Sequence, residues 1–182
     1  MSQKIIAVVG VSGVGKSTFL KKLQSKVEFQ LLQASDVIRQ QIQNKENQHL
    51  NAEVLRHANI DENQRLLISG FDRLRDPNAL IVILDGHTVI ESPSGLVDID
   101  AIVFKSMGVT HLVYLVEDPR EILRRRTSYI ERARPDRSLS YLETYQLHAQ
   151  SVGFKISLSL GVPFTVLSSG CLEWMEHIIK EY

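Results

Sequence analysis

Nine residues near the start of the chain, Gly10-Val11-Ser12-Gly13-Val14-Gly15-Lys16-Ser17-Thr18, restrict its fold more than any other stretch. They fit the pattern G-x-x-x-x-G-K-[ST], and the context agrees on both sides. Before them, Lys4 to Val9 is a short, β-branched apolar run of the kind that forms a buried parallel strand. After them, Phe19, Leu20, Leu23 and Val27 recur at helical spacing, so the loop joins a strand to a helix. The glycines let the backbone wrap tightly and aim its N–H groups inward, and the helix adds the positive end of its dipole at the same point. Such a hollow suits phosphate. On this reading Gly10, Ser12, Gly13, Val14, Gly15, Lys16, Ser17 and Thr18 form a nucleoside-triphosphate site. Lys16 reaches the β/γ-phosphates, and the Ser17 hydroxyl is a ligand for Mg²⁺.

The remaining pattern is an alternation. Glu28 to Gln33 reads as a weaker second strand, followed by a helix that Ser35 or Asp36 would cap. Gln40 to Asn51 is strongly polar with no core face, and Glu53 to Leu74 reads as one broken helix or two. Leu80 to Leu84 is an uninterrupted apolar run, hence a central strand, and it ends in Asp85-Gly86-His87. Glu91 to Gly95 reads as a loop, Ala101 to Met107 as a short helix and Leu112 to Val116 as a fourth strand. Asp118-Pro119-Arg120-Glu121 is a helix start with an acidic cap, proline in the first turn and Glu121 set to bond back. Ser140-x-x-Glu143 opens a long helix as a capping box, and Gly161 with Pro163 closes it. Phe164 to Leu167 is the fifth strand, and Leu172, Met175 and Ile179 mark a last helix. Strands alternating with helices predict an α/β parallel sheet with helices on both faces.

A length of 182 residues suits a single domain. Lys plus Arg equals Asp plus Glu, 21 of each, so no global basic footprint argues for nucleic acid. No apolar run approaches membrane-spanning length, and with a strand expected within a few residues of Met1 no signal peptide is expected. The single cysteine, Cys171, rules out an internal disulfide, so a cytosolic address is expected.

Three further features bear on chemistry. Asp85 ends a buried strand beside the loop, at the sheet edge where ligands bind, and a carboxylate there is set to hold Mg²⁺. His87 is open between contacting a phosphate, placing a water and packing. Seven arginines fall between Arg120 and Arg137, a density that repels itself unless an anion meets it. The fork of arginine matches the oxygens of a transferring phosphoryl group. Arg120, Arg124 and Arg132 read as a solvated face, whereas Arg126, Arg134 and Arg137 read as the catalytic arginines, alongside Lys16 and Asp85. Asp36 and Arg39 stand one helical turn apart, which by itself is a weak signal.

Several segments resemble the adenylate kinase family of nucleoside monophosphate kinases, most nearly its short-lid archaeal branch. Ala34-Ser35-Asp36-Val37-Ile38-Arg39 is similar to the family's acceptor segment, whose arginine grips the monophosphate. Leu84-Asp85-Gly86-His87 through Ser92-Pro93-Ser94-Gly95 resembles the archaeal Asp-Thr-His segment and its Thr-Pro-Ser-Gly loop. Val113 to Arg126 resembles the strand and lid-entry helix, and Arg132-Ala133-Arg134-Pro135-Asp136-Arg137 the arginine-rich lid. The resemblance implies a P-loop fold with a five-stranded parallel sheet, an acceptor-binding helical insertion over about 35–75 and a lid over about 127–138. It also implies ATP as donor, Mg²⁺ as cofactor, and Asp36, Arg39 and His87 as acceptor-side residues. The chain departs from the pattern at Ser35, at Glu91 (a basic residue in archaeal relatives) and at Leu96-Val97-Asp98. Asp85-Gly86-His87 also resembles the nuclear adenylate-kinase-like factors, which combine kinase with ATPase activity. Phosphoryl transfer to a nucleoside monophosphate is therefore the first expectation. A kinase for a hydroxyl-bearing metabolite, or a nucleotide-dependent switch with a macromolecular partner, are the alternatives.

Overall fold

The computed structural model describes residues 3–46, 60–92, 94–128 and 137–180. The apolar runs become the strands of one five-stranded parallel sheet: β1 (Lys4–Val9), β2 (Gln30–Gln33), β3 (Ile81–Gly86), β6 (His111–Val116) and β7 (Phe164–Ser168). Their spatial order is β2-β3-β1-β6-β7. β1 lies in the middle and is buried from Ile5 to Val9, which is why its run carries no polar alternation. The chain visits first one side of β1 and then the other, so the carboxyl ends of β1 and its neighbours open a crevice.

Helices α1 (Lys16–Gln24), α2 (Ala34–Glu46), α3 (Ile60–Leu74), α4 (Ala101–Ser106), α5 (Pro119–Ser128), α6 (Leu139–Leu160) and α7 (Leu172–Lys180) surround the sheet. α1 packs with α7, while α6 packs with α4 and α5. This is the expected α/β fold. Among the described residues no helix is long and apolar enough to cross a membrane.

Five local expectations are corrected. α2 begins at Ala34, directly after β2, so Ser35 and Asp36 lie in its first turn and do not cap it. α2 also continues through the polar stretch to Glu46, and Gln41 is buried where α2 crosses α3. That crossing is close: a Cβ on Gly70 would lie 2.7 Å from both Gln41 Nε2 and Val37 Cγ1. The 91–95 loop is instead the turn of a hairpin, β4 (Val89–Ser92) against β5 (Gly95–Asp98). Gly95, at φ 126°, turns the chain, and Ser92 Oγ donates to its carbonyl at 2.9 Å. The cap of α6 is Ser138, whose Oγ accepts from the Tyr141 N–H at 3.2 Å, and not Ser140. Gly161 closes α6 in the left-handed conformation, as expected. Asp118 caps α5 by accepting from the Arg120 N–H at 2.8 Å, but Glu121 pairs with Arg124 rather than bonding back.

The hairpin is fastened to α6. Thr88 Oγ1 donates to Ala149 O at 2.7 Å, Tyr145 Oη donates to Val89 O at 3.0 Å, and His148 Nε2 lies 2.6 Å from Asp98 Oδ1.

Candidate functional site

The loop from Gly10 to Gly15 leaves the carboxyl end of β1 and enters α1. Gly13 and Gly15 have φ of 94° and 104°, a region that side chains disfavour, and Gly15 caps α1 without any side-chain hydrogen bond. The first-turn N–H groups of α1 are thus left for a ligand. Ser12 is half-buried, Val14 is buried among core residues, and the Ser17 and Thr18 hydroxyls are exposed at the helix start.

Lys16 is buried, and its Nζ donates to Gly10 O at 3.0 Å and stands 3.9 Å from Asp85 Oδ1. Asp85 reaches this point because β3 pairs with β1 in a register that sets it opposite Val8, one residue before the end of β1. His87 Nδ1 lies 2.7 Å from the same Gly10 carbonyl. A carbonyl only accepts, so Nδ1 must carry the hydrogen. This contact makes Nδ1 of His87 a brace for the first carbonyl of the loop.

Asp85 and Ser17 supply hard oxygen donors, the chemistry that Mg²⁺ prefers. Among the described residues no group of three or more His, Cys, Asp or Glu is set to hold a metal. Mg²⁺ at nucleotide sites needs no such group, because substrate phosphates and waters complete its shell. The donor set therefore fits the ion.

The arginines divide by helix face. Ile122 is fully buried against the loop, and Arg125 and Arg126 follow it at i+3 and i+4. Burial of an isoleucine contributes about 1.5–3 kcal/mol, enough to bring this face of α5 onto the loop with two cations on it. Arg125 Nη1 donates to Val14 O at 2.8 Å, and its Nη2 donates to Glu117 at 2.8 Å. Ser169, in the turn after β7, also donates to Glu117. Burial pushes the Glu117 carboxyl up, but its bonds from Ser169, the Asp118 N–H and Arg125 outweigh that and hold it below the ordinary range. A clasp thus joins the phosphate loop, β6 and the turn after β7.

Arg126 goes deeper. Its stem lies on Gly13, where a Cβ would come within 3.0 Å of Arg126 Cγ. Its side chain is 4% exposed and donates from Nη2 to Glu91 Oε2 at 2.8 Å, while Nη1 is buried with no hydrogen-bond partner among the described residues. Arg137 Nε donates to Glu91 Oε1 at 2.7 Å, and its guanidinium stacks over Tyr141 at 4.5 Å. Burial raises the Glu91 carboxyl, yet the Arg137 and Arg126 guanidiniums prevail and keep it below the usual range.

The structure thus gathers Lys16, Asp85, His87 and Arg126 about the loop, with Arg137 joined to Arg126 through Glu91. Asp36 and Arg39 form their own pair on α2, 3.0 Å apart. Arg124 is exposed and bound to Glu121, and Arg120 is exposed, as expected of a solvated face. Arg132 and Arg134, with most of the 127–138 stretch, lie outside the described residues. Sequence reasoning gave no role to Arg125 or Glu117, and met Glu91 only as a departure from a pattern. The signal for Arg125 was its spacing from Ile122; for Glu91 nothing local sufficed, because the hairpin that carries it read as a loop.

A comparison with curated proteins finds no match. A family model described as an AAA domain matches residues 9–143, well over half of the chain, and its start coincides with the end of β1 and the phosphate loop. With the loop, its lysine and the five-stranded parallel sheet in agreement, the chain belongs to this AAA domain family of P-loop nucleotide-binding proteins, which includes kinases.

Proposed function

We propose that this protein is an ATP-dependent phosphotransferase whose acceptor is a nucleoside monophosphate. The observation that carries the reading is Arg126. It is a buried guanidinium whose stem rests on the phosphate loop and whose Nη1 has no hydrogen-bond partner among the described residues. Phosphoryl transfer spreads negative charge over equatorial oxygens, and an arginine supplied from the same chain meets that charge. Lys16 would hold the β/γ-phosphates, and the backbone N–H groups from Gly13 to Ser17 would receive the remaining oxygens. Ser17 and Asp85 would hold Mg²⁺, which when bound neutralises phosphate charge. A monophosphate acceptor already carries a nucleophilic oxygen, so positioning and charge neutralisation suffice without a strong base. On the acceptor side, α2 offers Arg39, one nitrogen of which, Nε, is buried with no hydrogen-bond partner among the described residues.

The test is ATP consumption across a panel of nucleoside monophosphates, with stimulation by at least one of them expected. Arg39→Ala should raise the KM for that acceptor roughly 10-fold or more, the size of a lost charge-assisted contact. ATP affinity should stay unchanged, because Arg39 is on a different helix from the loop; steady-state kinetics with each substrate varied in turn separates the two. Asp85→Asn should raise the Mg²⁺ concentration needed for half-maximal turnover roughly 10-fold to 100-fold. Metal-free nucleotide binding, followed by calorimetry, should change far less; an unaltered Mg²⁺ titration would make Asp85 a strut for Lys16 alone.

A second reading is an ATPase that answers to a protein partner. It is favoured by Leu147, Phe154 and Leu158, exposed apolar residues that recur along one stripe of α6. Turnover that ignores every monophosphate would select it.

A further inference from the structure

The arginine pair that the proposed reaction needs is already engaged by an anion belonging to the chain. Glu91 is largely buried on β4, and each of its carboxylate oxygens accepts from a different guanidinium, at 2.8 Å from Arg126 and 2.7 Å from Arg137. We propose that Glu91 is the resident anion of the Arg126–Arg137 site, a carboxylate that incoming phosphoryl oxygens displace, and that it thereby limits how tightly the protein holds polyanions. The proposal rests on the phosphotransferase reading for its ligand class.

Charge and stoichiometry carry it. Two guanidiniums present many N–H donors, and one carboxylate takes a single bond from each, leaving Arg126 Nη1 buried with no hydrogen-bond partner among the described residues. The trio keeps a net positive charge. A phosphoryl group offers three oxygens and more charge than a carboxylate, so it satisfies donors that Glu91 cannot reach. Arg126 is locked to the loop through its stem at Gly13, which sets the site beside the phosphate hollow. Arg137 is held less firmly: it is partly exposed, and stacking on Tyr141 gives it a second partner when the carboxylate is displaced. A strut whose only purpose was packing has no use for a buried guanidinium nitrogen that finds no hydrogen-bond partner among the described residues.

The experiment is calorimetric titration of the full chain with inorganic tripolyphosphate, without Mg²⁺ and without nucleoside. Glu91→Gln removes the competing charge and should tighten tripolyphosphate binding about tenfold or more, as expected when a close charge pair is opened to a new anion. Glu143→Gln, an equal charge change on an exposed residue of α6, should alter binding less than about twofold. Adding Arg126→Ala to Glu91→Gln should abolish the gain. Should the glutamine variant not fold, Glu91→Asp keeps the charge but is one methylene shorter and cannot span both arginines; it too should bind tripolyphosphate more tightly than the native chain. Equal or weaker binding by the folded glutamine variant, or by the aspartate variant in its place, overturns the proposal and makes Glu91 a strut. Because tripolyphosphate binding needs no turnover, a protein that ignores every monophosphate yet gains affinity on Glu91→Gln would refute the kinase reading alone.

Discussion

Replacing Lys16 with alanine is expected to cut nucleotide turnover by about 10³-fold, the loss found when a preorganised donor to developing charge is removed from a catalytic site. Lys16 is the residue that ties the phosphate loop to itself, through Gly10 O, and to β3, through Asp85. Its removal also leaves Asp85 without that cation, so stability must be measured beside activity. A cooperative thermal transition within a few degrees of the native one, together with that loss of turnover, is the expected pair of results. Near-native turnover from a folded Lys16→Ala protein would take the loop out of the mechanism.

Arg126→Ala should rank beside it, with a fall in kcat of roughly 10³–10⁵-fold, the range for an arginine supplied to a phosphoryl-transfer transition state. On the proposed phosphotransferase reading its charge is needed most as the phosphoryl group moves, so KM for ATP should change little while kcat and kcat/KM fall together. That signature differs from the one expected of Arg39, where acceptor KM rises and kcat holds. Losing Arg126 also leaves Glu91 with Arg137 as its remaining cationic partner among the described residues. Arg126→Lys is therefore the better control, since it keeps the charge but not the fork. Pre-steady-state turnover of Arg126→Lys should fall between those of the native and alanine proteins.

Much of this architecture is legible in the residues, and the parts that are not share a cause. Fully buried strands such as β1 and β6 announce themselves as apolar runs, and the loop between β1 and α1 carries a pattern dictated by backbone wrapping. Short elements stabilised by distant partners do not. β4 and β5 have four residues each, too few for a clear alternation, and their stability comes from α6 through Thr88, Tyr145 and Asp98. Helical continuity from Gln40 to Glu46 was hidden because Gln41 is buried by α3, a contact that no local pattern encodes. Among the site residues, Lys16 was readable from the loop pattern and Asp85 from its place at a strand end. Arg125 and Arg126 were separable from Arg124 only by their spacing from Ile122. The pairing of Glu91 with two arginines depends on a hairpin, a helix start and a helix end coming together, which is tertiary information.

The crossing of α2 over α3 bears on how this protein can be re-engineered. Gly70 lets the two helices approach until a single added carbon would collide with Val37 and Gln41, so the crossing has no room for a side chain at that position. Asp36 and Arg39 project from the same helix, the latter only one turn or less from either contact residue, and both are partly exposed. If the proposed acceptor side is right, a library aimed at new acceptors can therefore randomise positions 36 and 39 while position 70 stays glycine. Diversity belongs on the lip of this wedge, and its fulcrum must be left alone.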